Sequence, residues 1–214
     1  MHLFGYQMSL VQLIMIITVL VSLATFGNAR LMAALMMNPW TILREKQYYR
    51  FITSGFIHKD FQHLFLNMFS FYFFGMVIER DFHATFGGLA AVYFAALYLL
   101  AIVVSDIPTF LKEKNNPAYN SLGASGGVSA VIFAFILRHP LDKIYLYFFV
   151  PLPGFVLGIL YIAYSYYSGK KSHDAINHDA HLYGALFGVL FVIVLDPSSV
   201  SHFVEQLRTW SIFR

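Results

Sequence analysis

The chain has 214 residues, of which 58% are hydrophobic and only 12% carry a charge, and its mean hydropathy is +0.64. Because soluble domains average about 25% charged residues, this composition argues against a soluble protein and predicts one embedded in a lipid bilayer. The net charge of +3 and the absence of cysteine give no basis for a nucleic-acid partner, a disulfide framework or thiolate chemistry.

Six apolar segments free of Asp, Glu, Lys and Arg are long enough to cross about 30 Å of hydrocarbon as helices. We expect the first to be a true helix rather than a signal peptide, because it lacks a basic start and a small-residue cleavage site. The fifth contains Pro151 and Pro153, which predict a kink that neighbouring helices accommodate. The predicted spans are Met8–Phe26, Phe61–Ile78, Leu89–Ser105, Leu122–Leu137, Ile144–Tyr167 and Ala180–Leu195.

These spans predict an all-α, multi-pass membrane protein with a single domain over residues 1–214, made of a core at about 8–196 and a tail at 197–214. Six spans place both termini on one side of the membrane. Sorting Lys and Arg by side gives five on the terminal side and nine on the other, which by the positive-inside rule puts the termini outside. Five of those nine lie in one long connection, Gly27–Asp60, so this count rests on a single loop.

That connection and the tail are expected to lie along the membrane surface. Arg30–Ile57 is apolar but is interrupted by Asn38-Pro39 and by Arg44-Glu45-Lys46, so it is too broken to span. We interpret it as short helices in the interface plane, with an ordinary extramembrane loop as the alternative. The tail Pro197–Arg214 has apolar residues at roughly helical spacing and predicts a surface-lying helix.

Polar residues inside the second span are the first sign of chemistry. His63 and Asn67 are four residues apart and therefore share one helical face. Both side chains donate hydrogen bonds, and both are costly in hydrocarbon when unpaired. Such a pair can simply join two helices. Beside a nucleophile, the same two donors would form an oxyanion hole.

The fourth span begins with a serine among glycines, Gly123-Ala124-Ser125-Gly126-Gly127. At a helix start the backbone N–H groups are free and the local dipole is positive, so an oxyanion formed there would be stabilised by the Ser125 N–H. The glycines permit close backbone approach. The alternative is a small-residue packing motif, which is common in membrane helices.

The sixth span carries His181, followed by Gly184 and Gly188. This spacing of small residues lets two membrane helices approach closely. A serine nucleophile needs a base within about 3 Å, and helices that face each other with small residues can bring the two side chains that near. Ser125 and His181 therefore form a candidate catalytic dyad.

Read together, these motifs resemble the rhomboid family of intramembrane serine proteases. The resemblance extends from the first span to Asp196 and keeps the order and approximate spacing of five motifs. They are Thr53-Ser54-Gly55-Phe56-Ile57-His58, His63-x-x-x-Asn67-Met68, Gly75-x-x-x-Glu79-Arg80, Gly123-Ala124-Ser125-Gly126 and Ala180-His181-x-x-Gly184-x-x-x-Gly188.

The resemblance implies a six-helix core in which a short nucleophile helix starts below the membrane surface, at a water-filled cavity. It implies a rhomboid-type serine endopeptidase with Ser125 as nucleophile and His181 as general base and then acid. The oxyanion hole would comprise the Ser125 N–H with the His63 and Asn67 side chains. Structural support is expected from His58 within the long first loop, from a Glu79–Arg80 polar pair at the helix ends, and from Gly123, Gly126, Gly184 and Gly188.

One position departs from the family pattern. Some members carry a tyrosine one turn after the nucleophile, stacked on the catalytic histidine, whereas this chain has Ser129 there. Phe133 or Tyr183 are the candidates to replace that ring. No acidic third member is expected, which is consistent with a dyad rather than a triad.

By resemblance, the substrates are single-pass or other transmembrane proteins that unwind locally and carry small residues at the cut. No cofactor and no metal is expected, and the oligomeric state is left open. The family implies cytosolic termini, against the charge count, and the small size suggests a bacterial inner membrane. The connection Lys170–Asp179 would cover the site as a mobile cap.

Two other functions are compatible with parts of the sequence. His173-Asp174-Ala175 recurs as His178-Asp179-Ala180 before His181, and imidazole and carboxylate clusters suit zinc, so a metal transporter or metal-dependent membrane protein is one alternative. Against it stands the absence of an H-E-x-x-H motif. The second alternative is an inactive relative that binds membrane clients, although such a protein would be expected to lack the serine or the histidine.

Overall fold

A computed structural model of the chain describes residues 2–3, 6–146, 149–171 and 177–211. Within these ranges the protein is helical apart from two short β-hairpins. The hairpins are β1–β2 (His2–Leu3, Tyr6–Gln7) and β3–β4 (Lys143–Leu146, Val150–Pro153). The long helices are α1 Leu10–Phe26, α5 Phe61–Phe86, α6 Ala90–Glu113, α7 Ser125–Arg138, α8 Gly154–Lys171 and α9 His178–Leu195. The shorter ones are α2 Ala29–Leu35, α3 Pro39–Glu45, α4 Arg50–Thr53 and α10 Ser198–Thr209.

Each predicted span overlaps one of the long helices, but the fifth is not helical from its start. The described residues of its first part, 144–146 and 150–153, belong to the β3–β4 hairpin, in which Tyr145 is opposite Pro151. The predicted kinked helix is therefore wrong over this stretch. Proline lacks a backbone N–H and clashes with the preceding helical turn. Two prolines within three residues therefore prevent the helix from including the residues before them. Helix α8 begins at Gly154, directly after Pro153.

Helices α5 and α6 extend by two turns or more beyond the ends of their predicted spans, and the added turns carry charged residues. Helix α5 continues past Ile78 through Glu79 to Phe86, and α6 continues past Ser105 to Glu113. Asp106 therefore lies inside α6 rather than in a loop, and its side chain is buried. Hydropathy alone places the end of a span at the first charge, whereas a helix continues wherever its neighbours satisfy that charge.

Helix α7 lies at the centre of the bundle. From Gly126 to Leu137 every residue except Ile132 is buried, and α7 packs against α5, α6 and α9. Large side chains from α5 and α6 fill the adjacent core, where Phe71 contacts Phe94 and Tyr98 with ring centroids 6.1 and 4.6 Å apart. The residue that opens α7, Ser125, is thus held by the most enclosed helix of the fold.

The opposite end of α7 is tied to its neighbours by ion pairs. Arg138 Nη1 donates to Asp196 Oδ2 at 3.0 Å, at the end of α9, and Arg138 Nε lies 3.6 Å from an Asp81 oxygen on α5.

The carboxylate of Glu79, also on α5, accepts from the backbone N–H groups of Leu10 and Val11 at 2.7 and 3.1 Å, which satisfies the start of α1.

Arg80 takes no part in this arrangement as a partner of Glu79. Its side chain is 74% exposed, and its Nε lies 3.9 Å from Asp81 Oδ1, on the next residue of the same helix. The expected Glu79–Arg80 pair is therefore not what joins the helix ends. The backbone N–H groups of α1 take the place expected for Arg80, because a carboxylate at a helix N-terminus is stabilised by free donors and by the helix dipole.

The long connection Gly27–Asp60 contains the short helices α2, α3 and α4 and a 3₁₀ turn at Ser54–Phe56. Short helices are what the sequence predicts for this connection. Arg50 ties this loop together, since its guanidinium donates to the carbonyls of Ala33 and Met36 at 2.7 and 2.8 Å. The tail helix, α10, is also present. Its Gln206 side chain donates to the Arg138 carbonyl at 3.1 Å.

Two described segments are long and apolar enough to cross a bilayer, Phe61–Glu113, which holds α5 and α6, and His178–Leu195. Helices Leu10–Phe26 and Ser125–Arg138 are apolar but shorter. Outward-facing side chains of the bundle are apolar and exposed, such as Leu20 at 62%, Phe73 at 54% and Val194 at 78%. Exposed apolar surface of this extent marks contact with a membrane or a partner.

Candidate functional site

Helices α7 and α9 touch through their glycines. A Cβ atom placed on Gly184 would overlap the carbonyl oxygen of Gly126, and one placed on Gly188 would lie 2.6 Å from the Ala130 Cα atom. Real side chains do not tolerate such distances. The two backbones are therefore in direct contact, as the spacing of small residues predicts.

This contact sets the relative height of Ser125 and His181. Gly184 meets Gly126 and Gly188 meets Ala130, so the helices run side by side in the same direction. Ser125 precedes its contact residue by one position and His181 precedes Gly184 by three. The two residues are therefore offset by two positions. At a rise of 1.5 Å per residue, their Cα atoms lie about 3 Å apart in the direction of the helix axes. Both are partly exposed, so solvent has access to them.

An aromatic ring from a third helix, α8, contacts both α7 and α9 near Ser125 and His181. Tyr161, on α8, lies parallel to the His181 imidazole, with ring centroids 6.1 Å apart and an interplanar angle of 21°. Its hydroxyl is 2.6 Å from the Ser129 Oγ. Since Ser125 and Ser129 are four residues apart, they share one face of α7. Tyr161 therefore lies against both α9 at His181 and the Ser125 face of α7.

Tyr161 is the residue that sequence reasoning missed. The sequence offers Phe133 and Tyr183 as the rings to contact His181, and its spacing does not point to Tyr161. In the structure Tyr183 is 41% exposed, and Phe133 packs on the Tyr161 ring at 5.5 Å. The sequence does contain an indication of this contact. Ser129 is smaller than the tyrosine that some family members have there, so it leaves room for a ring, and its hydroxyl can bond to a tyrosine from another helix.

The segment that precedes Ser125 is held by the first loop. Met37 and Ser121 exchange backbone hydrogen bonds of 2.9 Å, and the Gly123 N–H donates to the Ser54 carbonyl at 2.9 Å. Gly123 has φ +122°, a conformation that only glycine adopts readily. A Cβ atom there would lie 2.6 Å from the His63 Cε1. The His63 ring thus packs directly on the backbone two residues before Ser125.

Asn67 lies one turn further along α5 and is 7% exposed. Its Nδ2 donates to the His63 carbonyl at 2.9 Å, and the amide carries a second hydrogen that this bond does not use. Ser125 is the first residue of α7, where backbone N–H groups have no partner within the helix. The donors expected for an oxyanion hole therefore come from the start of α5 and the start of α7.

His58 is fully buried beside this segment and connects it to α1. The Ala124 N–H donates to His58 Nε2 at 3.3 Å, so Nδ1 carries the proton and donates to the Ser22 Oγ at 3.0 Å. Ser22 in turn donates to the Phe56 carbonyl at 3.1 Å. Burial, and secondly the neighbouring His63, lower the pKa of His58 to about 3. His58 is thus neutral and joins the first loop both to Ser22 on α1 and to the backbone of Ala124.

A cavity opens next to Ser125. It has about 20 Å³ of free volume, which is enough for a water molecule. Its polar lining comes from five elements or connections, namely the side chains of Ser54, Ser105, Asp106, Ser121, Ser125 and Asn177. A polar, water-sized space beside this candidate nucleophile is a feature that hydrolysis requires, because water must reach the acyl carbon after the first step.

Two sequence predictions fall on residues outside the described ones. The cap predicted at Lys170–Asp179 includes residues 172–176, which the structure does not describe, and the first His-Asp-Ala repeat of the metal alternative lies within these residues. Among the residues that the structure describes, no group of three His, Cys, Asp or Glu side chains is placed to hold a metal ion. His178, from the second repeat, packs against the rings of Tyr164 and His181 at 5.5 and 6.2 Å.

The family model and the relatives that match this chain all carry the same family description. The family model described as "Rhomboid domain" matches residues 45–198. RHOMBOID-like protein 12, mitochondrial, of Arabidopsis thaliana is 32% identical over 164 residues, which cover 70% of this chain and 48% of that protein. Rhomboid protein 1, mitochondrial, of Saccharomyces cerevisiae is 28% identical over 180 residues, or 80% of this chain and 50% of that protein.

A third relative, Rhomboid-like protein 11, chloroplastic, of Arabidopsis thaliana, is 29% identical over 164 residues, or 70% of this chain and 53% of that protein. The chain spans about half the length of these curated relatives. Together with the apolar helices, the similarities identify an integral membrane protein. The relatives carry mitochondrial or chloroplastic names, so they do not support the expected bacterial inner membrane.

Proposed function

Because the chain belongs to the rhomboid family, we propose that it is an intramembrane serine protease that hydrolyses peptide bonds in or near transmembrane helices of other membrane proteins. Ser125 is the nucleophile and His181 the general base. The observation that carries this proposal is the glycine contact between α7 and α9, which brings these two side chains to nearly the same height on adjoining helices.

The proposed bond and proton exchanges involve only these two side chains, the substrate and water. A ring nitrogen of His181 takes the proton of the Ser125 hydroxyl while Oγ attacks the scissile carbonyl. The C–N bond then breaks, and the imidazolium gives its proton to the leaving amine. A water molecule attacks the resulting acyl ester, His181 takes one water proton, and that proton returns to Ser125 as the new carboxyl group leaves.

The developing oxyanion would be held at the start of α7. The Ser125 N–H points out of the first helical turn, and the positive end of the helix dipole adds to its effect. The second amide hydrogen of Asn67 and the His63 imidazole are the further donors. His63 already packs on Gly123, two residues before Ser125, which places its ring beside the start of α7.

In the membrane, we propose that α1, α5, α6, α7, α8 and α9 span the bilayer, with α2–α4 and α10 along its surfaces and the termini in the cytosol. Helix α7 has 14 residues and is therefore about 21 Å long, shorter than the roughly 30 Å hydrocarbon layer. With its Arg138 end at one interface, its Ser125 end lies below the other. Ser125 would then meet substrate helices within the membrane.

Cleavage of a transmembrane helix by the purified protein tests the proposed function. We expect a helix with small residues and a helix-destabilising residue near the cut to be cleaved in proteoliposomes, and a fully stable polyleucine helix to resist, because a helical peptide bond must unwind before a serine reaches it. EDTA should leave the rate unchanged. Loss of cleavage with EDTA, restored by zinc, would instead favour a metal-dependent enzyme.

Asn67→Ala should slow cleavage without abolishing it. Removal of one oxyanion donor costs about 10²–10³ in rate, and the other donors remain. The measurement is kcat on a transmembrane substrate, with Asn28→Ala as the control, since Asn28 only caps the short helix α2 through Leu31. An Asn67→Ala variant with wild-type kcat would remove Asn67 from the oxyanion hole.

Tyr161→Leu should lower kcat, whereas Tyr161→Phe should keep most of it, because the parallel ring contact with His181 survives only in the second variant. A favourable aromatic pair is worth about 0.5–1.5 kcal/mol, which corresponds to roughly two- to tenfold in rate. Tyr167→Leu, on the same helix but 64% exposed, is the control. Equal activity of all three variants would mean that the ring does not hold His181.

A further inference from the structure

One side chain fixes the start of the helix that carries His181. Asn177 is the N-cap of α9: its Oδ1 accepts from the Ala180 N–H at 3.1 Å, and its carbonyl accepts from the His181 N–H at 3.3 Å. Asn177 therefore bonds to the backbone of the first turn at two points. The side chain holds Ala180 and the backbone carbonyl holds His181, so the position of Asn177 bears on the turn that includes His181.

The Asn177 amide is itself held from α6. Thr109 Oγ1 donates to Asn177 Oδ1 at 2.9 Å, and Asn177 Nδ2 donates to Asp106 Oδ1 at 3.4 Å. Asp106 and Thr109 are three residues apart and share one face of α6. One offers an acceptor and the other a donor, so only one orientation of the amide satisfies both.

Asp106 is an unusual residue at this place. It is 8% exposed, and a buried carboxylate is costly unless its oxygens have partners. It also lines the small cavity beside Ser125, together with Asn177. The proposed reaction does not use it, since His181 and Ser125 exchange the proton by themselves. A costly group so close to the dyad requires a separate explanation.

We infer that Asp106 is a positioning residue: with Thr109 it locks the Asn177 cap and thereby holds the first turn of α9, and with it His181, at Ser125. This inference rests on the proposed function. Tyr161 limits the tilt of the imidazole from the α8 side, and the Asp106–Thr109 clamp fixes its height from the α6 side. Both constraints matter because a 1 Å misplacement of a reacting group can cost about 10²-fold in rate.

The test compares three changes on α6. Asp106→Leu keeps the branched shape but removes the acceptor, Asp106→Asn keeps a carbonyl acceptor, and Thr109→Val removes the donor. We expect kcat to fall by up to about 10²-fold in Asp106→Leu, to fall in the same direction in Thr109→Val, and to be largely restored in Asp106→Asn. KM should stay close to the wild-type value in all three, because the clamp acts on the base rather than on substrate.

A matched control breaks another polar link between the same two helices. Lys112 Nζ lies 3.6 Å from Asp179 Oδ2, and the lysine is 60% exposed. Exposed ion pairs contribute little, so Lys112→Gln should keep wild-type kcat. Thermal unfolding in detergent is measured for every variant. Should Asp106→Leu fail to fold, Thr109→Val and Asp106→Asn still decide the matter by their kcat values.

The outcomes separate this inference from the function on which it rests. An active wild type with undiminished kcat in Asp106→Leu and Thr109→Val would overturn the clamp alone. A raised KM with unchanged kcat would also overturn it, because Asp106 would then contact substrate. An inactive wild type would overturn the protease proposal and the clamp together.

Discussion

Ser125→Ala and His181→Ala are each expected to abolish cleavage of transmembrane substrates while the protein stays folded. Without its hydroxyl the site has no nucleophile, and without the imidazole the hydroxyl keeps its proton. Loss of either group in a serine protease typically costs about 10⁶ in kcat. The measurement is substrate cleavage by purified protein in detergent, with the unfolding temperature of each variant recorded beside it.

The control for this pair is Ser129→Ala, one turn further along α7. Ser129 bonds to the Tyr161 hydroxyl and does not react, so its loss should cost far less than loss of Ser125. Because the two groups act as a unit, the double variant Ser125→Ala/His181→Ala should be no worse than either single variant. Residual turnover in Ser125→Ala above that of the double variant would contradict the proposed dyad.

Gly184→Ala and Gly188→Ala should damage both activity and stability. The new methyl groups would overlap backbone atoms of Gly126 and Ala130, and backbone cannot rotate away as a side chain can. Overpacking costs typically about 1–3 kcal/mol, and the relief available is a separation of α7 from α9. That separation carries His181 away from Ser125, so we expect kcat to fall by about 10²-fold or more.

Gly88→Ala is the matched control, since a methyl group at Gly88 would meet no atom within 4 Å. Its activity and unfolding temperature should equal those of the wild type. Intermediate behaviour is expected for Gly158→Ala, whose methyl group would meet the flexible end of Ile136 at 3.3 Å. Wild-type kcat in both Gly184→Ala and Gly188→Ala would mean that the α7–α9 contact does not set the geometry of the dyad.

Much of the helical architecture could be predicted from the sequence because bilayer-length apolar runs leave few alternatives. Each predicted span overlaps a long helix, and the broken apolar connection at Gly27–Asp60 forms short helices. The glycine contact between α7 and α9 could also be anticipated, since small residues four apart mark close helix pairs. In these cases the local pattern and the tertiary environment require the same structure.

The features that escaped prediction depend on distant parts of the chain. Strands β3 and β4, Lys143–Leu146 and Val150–Pro153, replace the start of a predicted helix because two prolines outweigh an apolar composition. Glu79 and Asp106 lie inside helices because Leu10, Val11 and Asn177 bond to their carboxylates. Tyr161 meets His181 from a helix that sequence spacing does not relate to it. None of these partners follows from periodicity within one segment.

Covalent labelling with a fluorophosphonate, followed by mass spectrometry of the adduct, tests the proposed dyad most directly. We expect one phosphonylated residue, Ser125, in the wild type, a greatly reduced rate in His181→Ala, and no adduct at this position in Ser125→Ala. An adduct on a different serine, or equal labelling of Ser125 with and without His181, would contradict the proposal that these two side chains act together.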